Sequence, residues 1–285
     1  EPPVEVDTER ETEPPVFRSS HATLLVHEAW KGTAPRSIEV PYPAGLACPA
    51  PPRYVEGRAV IAFLAHENGE YRTIGLSYGT LYVNPDEVKD VGLLVREAVQ
   101  LQAGSERDLD QRLNWLARAA ANPATRWHGL YELNPTVDQL LSHYDRNERV
   151  DLEPELSAAE LKIIADGFVS DPSTDRTLPM ILRLLENYPS ESVDNAALSS
   201  LEGVLGQEEL PWWTLSAIRV LLERLNDPYV LPRFADFEDD PYPDISDDEI
   251  RELWERAKEE VGIPTLTPAP VRDEVVWGVG SNTPS

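Results

Sequence analysis

Cysteine is nearly absent from this sequence. Cys48 is the only one in 285 residues, so the chain can form neither an intrachain disulfide nor a zinc site built from several thiolates. It also has no run of about eighteen apolar residues, and the sequence therefore predicts no membrane-spanning helix. Because 41% of the residues are hydrophobic, the chain still has enough apolar side chains for the core of a folded protein.

Positive charge is also scarce. The chain has 25 lysine and arginine residues against 51 aspartate and glutamate residues, which gives a formal net charge of −26. Binding to a nucleic-acid backbone requires clustered cationic side chains that displace counterions, so we expect no nucleic-acid partner. Three interpretations of the acidity stay open, namely a cationic protein partner, calcium binding, and solubility alone.

Residues 21–83 have the pattern of several short strands with no helix between them. The predicted strands are 22–30, 37–42, 58–65, 70–76 and 79–83, where apolar residues alternate or form short runs. Asn68-Gly69 separates the third strand from the fourth, and since both residues tolerate positive φ, it predicts a hairpin turn. Consecutive strands of this kind indicate a barrel or a sandwich rather than βαβ units.

The residues of this region also resemble a known family. The segment VHEAWKG, which starts at residue 26, is followed by Cys48, by Gly57 ahead of the apolar segment 59–64, and by SYGT from residue 77. This order is similar to that of the bacterial netrin-like or tissue-inhibitor-of-metalloproteinase-like (TIMP-like) OB-fold module. The resemblance covers residues 16–84 and implies a five-stranded OB-like β-barrel.

The resemblance implies a binding surface as well. That surface is the barrel rim, with the residues Trp30, Lys31, Cys48 and Tyr78. The family pairs the cysteine at the position of Cys48 with a second one, where this chain has Ser77. Animal inhibitors chelate the protease zinc through an N-terminal cysteine, whereas this chain starts with Glu1. We therefore do not expect inhibition by zinc chelation, although protease-inhibitor-like binding through the barrel stays open.

After residue 84 the apolar residues recur at helical spacing. Predicted helices include 86–102, 124–133, 136–146, 175–188, 190–205 and 211–225. Another is capped by Ser105-x-x-Asp108 and ends near Asn122-Pro123. Two capping boxes, Ser157 with Glu160 and Ser246 with Glu249, predict the starts of two more helices. The helices begin at intervals of roughly eighteen residues, which is the half-period of HEAT and armadillo repeats. The pattern predicts an all-α domain of HEAT-like helical hairpins.

We therefore predict an α+β protein with four segments: an acidic proline-rich arm (1–15), an OB-like barrel with a trailing helix (16–103), a HEAT-like helical domain (104–261) and a proline-rich tail (262–285). Two interpretations of the tail stay open. The favoured one places Val276 and Trp277 in a groove of the same molecule, and the other adds the tail as a strand to an exposed sheet edge.

Two groups of side chains are candidate ion sites. Asp239, Asp240 and Asp244 lie in an acidic loop with enough oxygen atoms for calcium, but the glycine that an EF-hand loop needs is missing, and we favour a solvated loop. His21 and His27 lie near one predicted strand edge without a third ligand, so we predict no metal site there.

Tryptophan has two possible roles in the helical region. Trp212 and Trp213 stand side by side, and Trp115, Trp127 and Trp254 occur in other predicted helices. They form either an exposed aromatic platform for a ligand or part of the helical core. We favour the core, because aromatic residues at helical spacing bury a large apolar area.

No catalytic residues or cofactor are predicted. The interpretation we favour is a protein–protein interaction module without enzymatic activity. Because the chain begins with Glu1 rather than Met, as after removal of a signal peptide, we expect it in an extracellular, periplasmic or cell-surface location. Two alternatives stay open: a helical-repeat scaffold or adaptor that binds a basic partner, and a carboxylate-dependent hydrolase.

Overall fold

The structure is a computed structural model that describes residues 18–44, 52, 54–85, 87–103, 109–135, 150–225, 245–264 and 266–271. These residues fall into two compact units, one up to residue 85 and one from residue 87, and each unit is described by itself. The predicted division into four segments stays a prediction. The arm 1–15 and the tail residues Val276 and Trp277 lie outside the described residues.

The described part of the first unit contains six strands in three antiparallel pairs. β1 pairs with β2, β3 with β6, and β4 with β5. Val40, Ile61 and Leu81 are among its buried apolar side chains. The predicted hairpin turn at Asn68-Gly69 is confirmed, because both residues have positive φ and join β4 to β5. The strands are β1 (Arg18–Leu25), β2 (Ser37–Ala44), β3 (Val60–Ala62), β4 (Leu64–Glu67), β5 (Glu70–Thr73) and β6 (Thr80–Tyr82).

The predicted five-stranded OB-like barrel is wrong. In the part of the chain that the structure describes, the strands form only two-stranded sheets, and none of these sheets closes on itself. A barrel requires each strand to bond a neighbour along both of its edges. The alternation of apolar residues predicted where strands occur, but it carried no information on which strand edges accept a second partner.

Two prolines restrict pairing at the outer edge of β2. The N–H of Val26 donates to the carbonyl of Arg36 at 2.9 Å, and hydrogen-bonded pairs alternate along an antiparallel ladder. In the observed register, Pro41 and Pro43 therefore take positions that do not bond β1. Their nitrogen atoms face the opposite edge, where a third strand would need N–H donors that proline lacks.

The predicted strand 58–65 is also interrupted, at Phe63. The N–H of Phe63 donates to the carbonyl of Gly79 at 2.9 Å, and its own carbonyl accepts from the N–H of Ile74 at 2.9 Å. The chain thus changes partner at this residue, from β6 on one side to β5 on the other. Each resulting strand has only three or four residues, which is too short for the continuous ladders of hydrogen bonds that close a barrel.

The second unit is built from helices. Both predicted capping boxes are confirmed, because Ser157 and Ser246 exchange side-chain and backbone hydrogen bonds with Glu160 and Glu249. The predicted helix 136–146 lies outside the described residues. None of the described helices is long and apolar enough to cross a membrane. The α-helices are α1 (Val88–Ala103), α2 (Leu109–Ala121), α3 (Arg126–Leu133), α4 (Ala158–Ser170), α5 (Thr177–Leu184), α6 (Glu191–Leu205), α7 (Thr214–Arg224) and α8 (Asp247–Val261).

α5 lies at the centre of the helical unit. All of its residues except Arg183 are buried, as expected for a helix with neighbours on every side. It contacts α3, α6 and α7, while α2 contacts α3 and α4. Phe168, Ile181, Leu201 and Leu221 are completely buried between these helices. This packing, rather than helix propensity, supplies most of the stability of such short helices.

Candidate binding surface

Arg126 is a buried cation that joins two helix ends. Its guanidinium donates to the carbonyls of Ala120 and Ala121 at the end of α2, at 3.4 and 3.3 Å. It also donates to the carbonyls of Gly167 and Asp171 at the end of α4, at 3.5 and 3.0 Å. Carbonyls at a helix C-terminus lack partners within the helix and carry partial negative charge, so this arginine satisfies both ends.

Two more arginines do the same at other helix ends. Arg224 donates to the carbonyls of Leu185 and Tyr188 after α5, and forms an ion pair with Asp194 at 2.6 Å. Arg251 of α8 donates to carbonyls at and after the end of α6: those of Leu205 at 3.1 Å, Gln207 at 2.8 Å and Glu208 at 3.3 Å. These three cations are bonded to backbone carbonyls, and the side chains of Arg126 and Arg224 are buried.

The connection between α6 and α7 packs against the first turn of α8. The N–H of Leu210 donates to the Asp247 carboxylate at 2.8 Å, and Arg251 holds the carbonyl of Gln207. Asp247 and Arg251 both belong to α8, so residues 206–213 are held against this helix. The connection is therefore held at defined points and can present its outward side chains in a fixed arrangement.

One tryptophan of this connection points outward and the next points inward. Trp213 is buried, whereas Trp212 is 64% exposed. Glu208 and Glu209 in the same connection are exposed, and the side chain of Asp248 in the first turn of α8 is 92% exposed. We call these four residues, Glu208, Glu209, Trp212 and Asp248, the Trp212 surface. It combines a large apolar ring with carboxylates, which suits a ligand that is both cationic and apolar.

The core interpretation is confirmed for three of the five tryptophans, which are buried. Trp127 and Trp254 are buried like Trp213, and the indole N–H of half-buried Trp115 donates to the carbonyl of Leu94 at 2.9 Å. The sequence contains one signal that either Trp212 or Trp213 is exposed. Consecutive helix residues lie about 100° apart around the axis, so two adjacent tryptophans rarely face the same core, although the pattern could not say which one is exposed.

α8 is fixed to α6 by a buried polar cluster. The indole N–H of Trp254 and the ammonium of Lys258 donate to the carboxylate of Glu202 at 3.2 and 2.9 Å, and Lys258 also pairs with Glu255 at 2.8 Å. Burial disfavours the ammonium, but the two carboxylates outweigh it and raise the pKa of Lys258 above its usual range. The cluster positions the helix that carries Asp248.

The described residues among those predicted from the barrel rim belong to different segments of the first unit. Trp30 and Lys31 are in the connection between β1 and β2, and Tyr78 is in a short 3-10 helix, Leu76–Gly79, just before β6. Cys48 lies outside the described residues. Without a closed barrel there is no rim to unite these side chains, and their binding role stays a prediction.

The predicted calcium ligands Asp239, Asp240 and Asp244 also lie outside the described residues. Within the described ranges, no group of three or more histidine, cysteine, aspartate or glutamate residues could hold a metal ion. His21 lines an open cleft in the first unit of about 310 Å³, together with Glu39 and Glu70. Both carboxylates are exposed, whereas acid–base catalysis by a carboxylate pair works best where water is excluded.

No family model, curated protein or solved structure matches this chain. The function therefore has to be argued from the chain's own residues, of which those of the Trp212 surface combine exposure, charge and a defined backbone.

Proposed function

We propose that the protein is a non-enzymatic protein–protein interaction module, and that its helical unit binds a basic partner through the Trp212 surface. The observation that carries the proposal is that Trp212 is exposed in the connection that also carries exposed Glu208 and Glu209. This connection is hydrogen-bonded to the first turn of α8, which carries exposed Asp248. Tryptophan is enriched among the residues that dominate interface energies, and acidic neighbours attract a cationic partner over a distance set by the salt concentration.

The use of cations inside the unit supports the same proposal. Arg126, Arg224 and Arg251 donate to helix-end carbonyls, and Lys258 is held by two carboxylates. The Trp212 surface contains no lysine or arginine, and Arg251, which forms an ion pair with Asp248 of this surface, is partly buried and bonded to backbone carbonyls. A basic partner would therefore meet little repulsion there.

The test uses the full chain with 5-fluorotryptophan and a short synthetic peptide rich in lysine and arginine that contains one leucine. Fluorine NMR should show the Trp212 signal shifting on titration while the signal of buried Trp254 stays in place. Trp212→Ala should weaken peptide binding by about 2 kcal/mol, a factor of roughly thirty, as for an interface hot spot. Binding should also weaken as salt is added.

A matched pair of double variants separates this surface from general acidity. E208Q/E209Q removes two charges beside Trp212, and E186Q/E191Q removes two exposed charges near the opposite end of α6. The first variant should weaken binding severalfold at low salt, since exposed charges contribute roughly 0.2–1 kcal/mol each, and the second should change it little. Equal effects of the two variants, or an unmoved Trp212 signal, would contradict the proposal.

The alternatives have less support. The hydrolase interpretation has two exposed carboxylates in an open cleft, and the inhibitor interpretation depended on a barrel rim. The extracellular, periplasmic or cell-surface location stays a prediction, and fractionation of the host cells with an antibody against the chain would test it.

A further inference from the structure

A short segment near the end of the described chain lies along α6. This segment, which we call the strap, consists of residues 266–271, with the sequence LTPAPV. The N–H of Ala269 donates to the carbonyl of Ser199 at 2.8 Å. The hydroxyl of Ser199 donates to the carbonyl of Thr267 at 2.6 Å, and the hydroxyl of Thr174 donates to the carbonyl of Pro270 at 3.5 Å.

Gly203 makes this contact possible. A Cβ atom at Gly203 would lie 2.3 Å from the carbonyl oxygen of Ala269, far inside van der Waals contact. A glycine within a helix is less favourable than alanine, so α6 has a weaker residue where the strap crosses it. Gly203 and Ser199 are four residues apart and lie on the same face of α6. We call the surface at these two residues, on which the strap lies, the groove.

The strap has the chemistry of a peptide ligand. Pro268 and Pro270 restrict their own φ angles and those of the residues before them, so the segment is extended before it binds. Ala269 supplies the only N–H between the two prolines, and that N–H is bonded to α6. Ala269 is buried, so a side chain larger than a methyl group has little space at this position between the two prolines.

The strap is held by few contacts. Ala269 is its only buried residue, and Thr267, Pro268, Pro270 and Val271 are all exposed. Among the described residues, three hydrogen bonds and one buried alanine hold the strap, and the net contribution of each is modest. A segment with the same chemistry that reaches the groove from another molecule can therefore compete with it.

We propose that the groove at Ser199 and Gly203 is a binding site for an extended Pro-X-Pro segment of a partner protein, where X is a small residue, and that the strap occupies this site until such a segment displaces it. The site is separate from the Trp212 surface, and its ligand is recognised by shape and backbone bonding rather than by charge.

The test releases the strap within the full chain. Ala269→Glu cannot keep its side chain buried against α6, so the strap should leave and the groove should open. The probe is a fluorescent synthetic peptide with the sequence of residues 263–272, measured by anisotropy in about 0.5 M salt, where surface charges are screened. The peptide should bind the A269E chain at least tenfold more tightly than the wild-type chain.

Two glycine substitutions provide the matched comparison. G203A/A269E should lose at least tenfold in peptide affinity, because the new methyl group fills the groove, and alanine is favourable for the fold of α6. G206A/A269E should bind as A269E does, because a Cβ at Gly206 meets no atom closer than 3.5 Å. Circular dichroism should show that all the variants are folded.

Failure of the peptide to bind A269E, for any reason, would overturn the proposal. Equal affinity for G203A/A269E and G206A/A269E would overturn it as well. Concentration-dependent dimers of the wild-type chain on size-exclusion chromatography that G203A abolishes would also overturn it, by identifying exchange of the strap between two copies. None of these outcomes tests the proposal that the Trp212 surface binds a basic partner, because the assay is run at high salt and the variants leave that surface unchanged.

Discussion

The two units of this protein satisfy their backbone hydrogen bonds in different ways. In the helical unit, bonds within each helix are local, and three buried or partly buried arginines bond the carbonyls at four helix ends. In the first unit, each described strand bonds one neighbour, and prolines remove donors from the outer edge of β2. Local bonding can be read from a sequence, whereas strand pairing depends on residues far along the chain.

The difference extends to the cores. The helical unit surrounds α5 with packed helices and completely buries residues such as Phe168 and Leu201. In the first unit, the two strands of the β3–β6 pair have three residues each, and Phe63 is exposed where the chain changes partner. Cooperative packing therefore stabilises the helical unit. We expect substitutions of its buried polar side chains to change the free energy of unfolding most.

The largest effect is expected from Arg224. Its side chain is 3% exposed and bonds Asp194 and two backbone carbonyls. Arg224→Ala leaves these buried acceptors unpaired and should lower the free energy of unfolding by about 3–5 kcal/mol. Urea denaturation followed by circular dichroism measures the change. Arg118→Ala is the control, because Arg118 and Glu97 form a bidentate pair whose side chains are 38% and 39% exposed.

The control should cost no more than about 1 kcal/mol, since water replaces an exposed partner. Similar decreases in the free energy of unfolding for the two variants would show that bonds to backbone carbonyls add nothing to an ordinary ion pair. The proposed difference between the two units would then be contradicted.

An intermediate, pH-dependent effect is expected from Lys258. The pKa of Lys258 is raised in the folded protein because Glu255 and Glu202 outweigh the effect of burial. A raised pKa means that the stabilisation is complete below the unfolded pKa, about 10.4, and is lost as pH rises through the folded value. Lys258→Met should therefore be less stable than wild type by about 1.5–3 kcal/mol at pH 8, and this gap should narrow above the folded pKa.

Urea denaturation of both proteins at several pH values measures that gap. Tyr54 also has a pKa raised by burial, but it titrates in both proteins, so its contribution cancels in the difference. A gap that is constant or widens with pH would contradict the role assigned to Glu202 and Glu255.

The smallest effect on stability is expected from the prolines of β2, which test the first unit. P41V/P43V restores two N–H donors to the outer edge while the ladder to β1 is unchanged. The free energy of unfolding should change by less than about 1 kcal/mol, but the added N–H donors allow pairing with a strand of another chain and should promote association between chains. Analytical ultracentrifugation should detect oligomers, whereas Pro35→Val, outside the strand, should stay like wild type. Equal behaviour of the two variants would contradict the edge-blocking role.

Much of the helical unit could be predicted from the sequence, because its signals are local. The capping boxes at Ser157 and Ser246 need only four consecutive residues, and the helices they start are present. The predicted barrel was wrong although most of the predicted strands are present, because the alternation of apolar residues does not specify which strands pair. Gly203 was not recognised, since only the approach of residue 269 explains a glycine within α6.

The sequence by itself determined the acidic character of the chain, the absence of intrachain disulfides, the starts of the capped helices and the turn at Asn68-Gly69. Each of these depends on composition or on residues that are neighbours in the chain. Only the tertiary structure decided that Trp212 is exposed while Trp213 is buried, and that the strap crosses α6 at Gly203. Burial and long-range hydrogen bonds depend on which distant segments meet, and a local pattern does not contain that information.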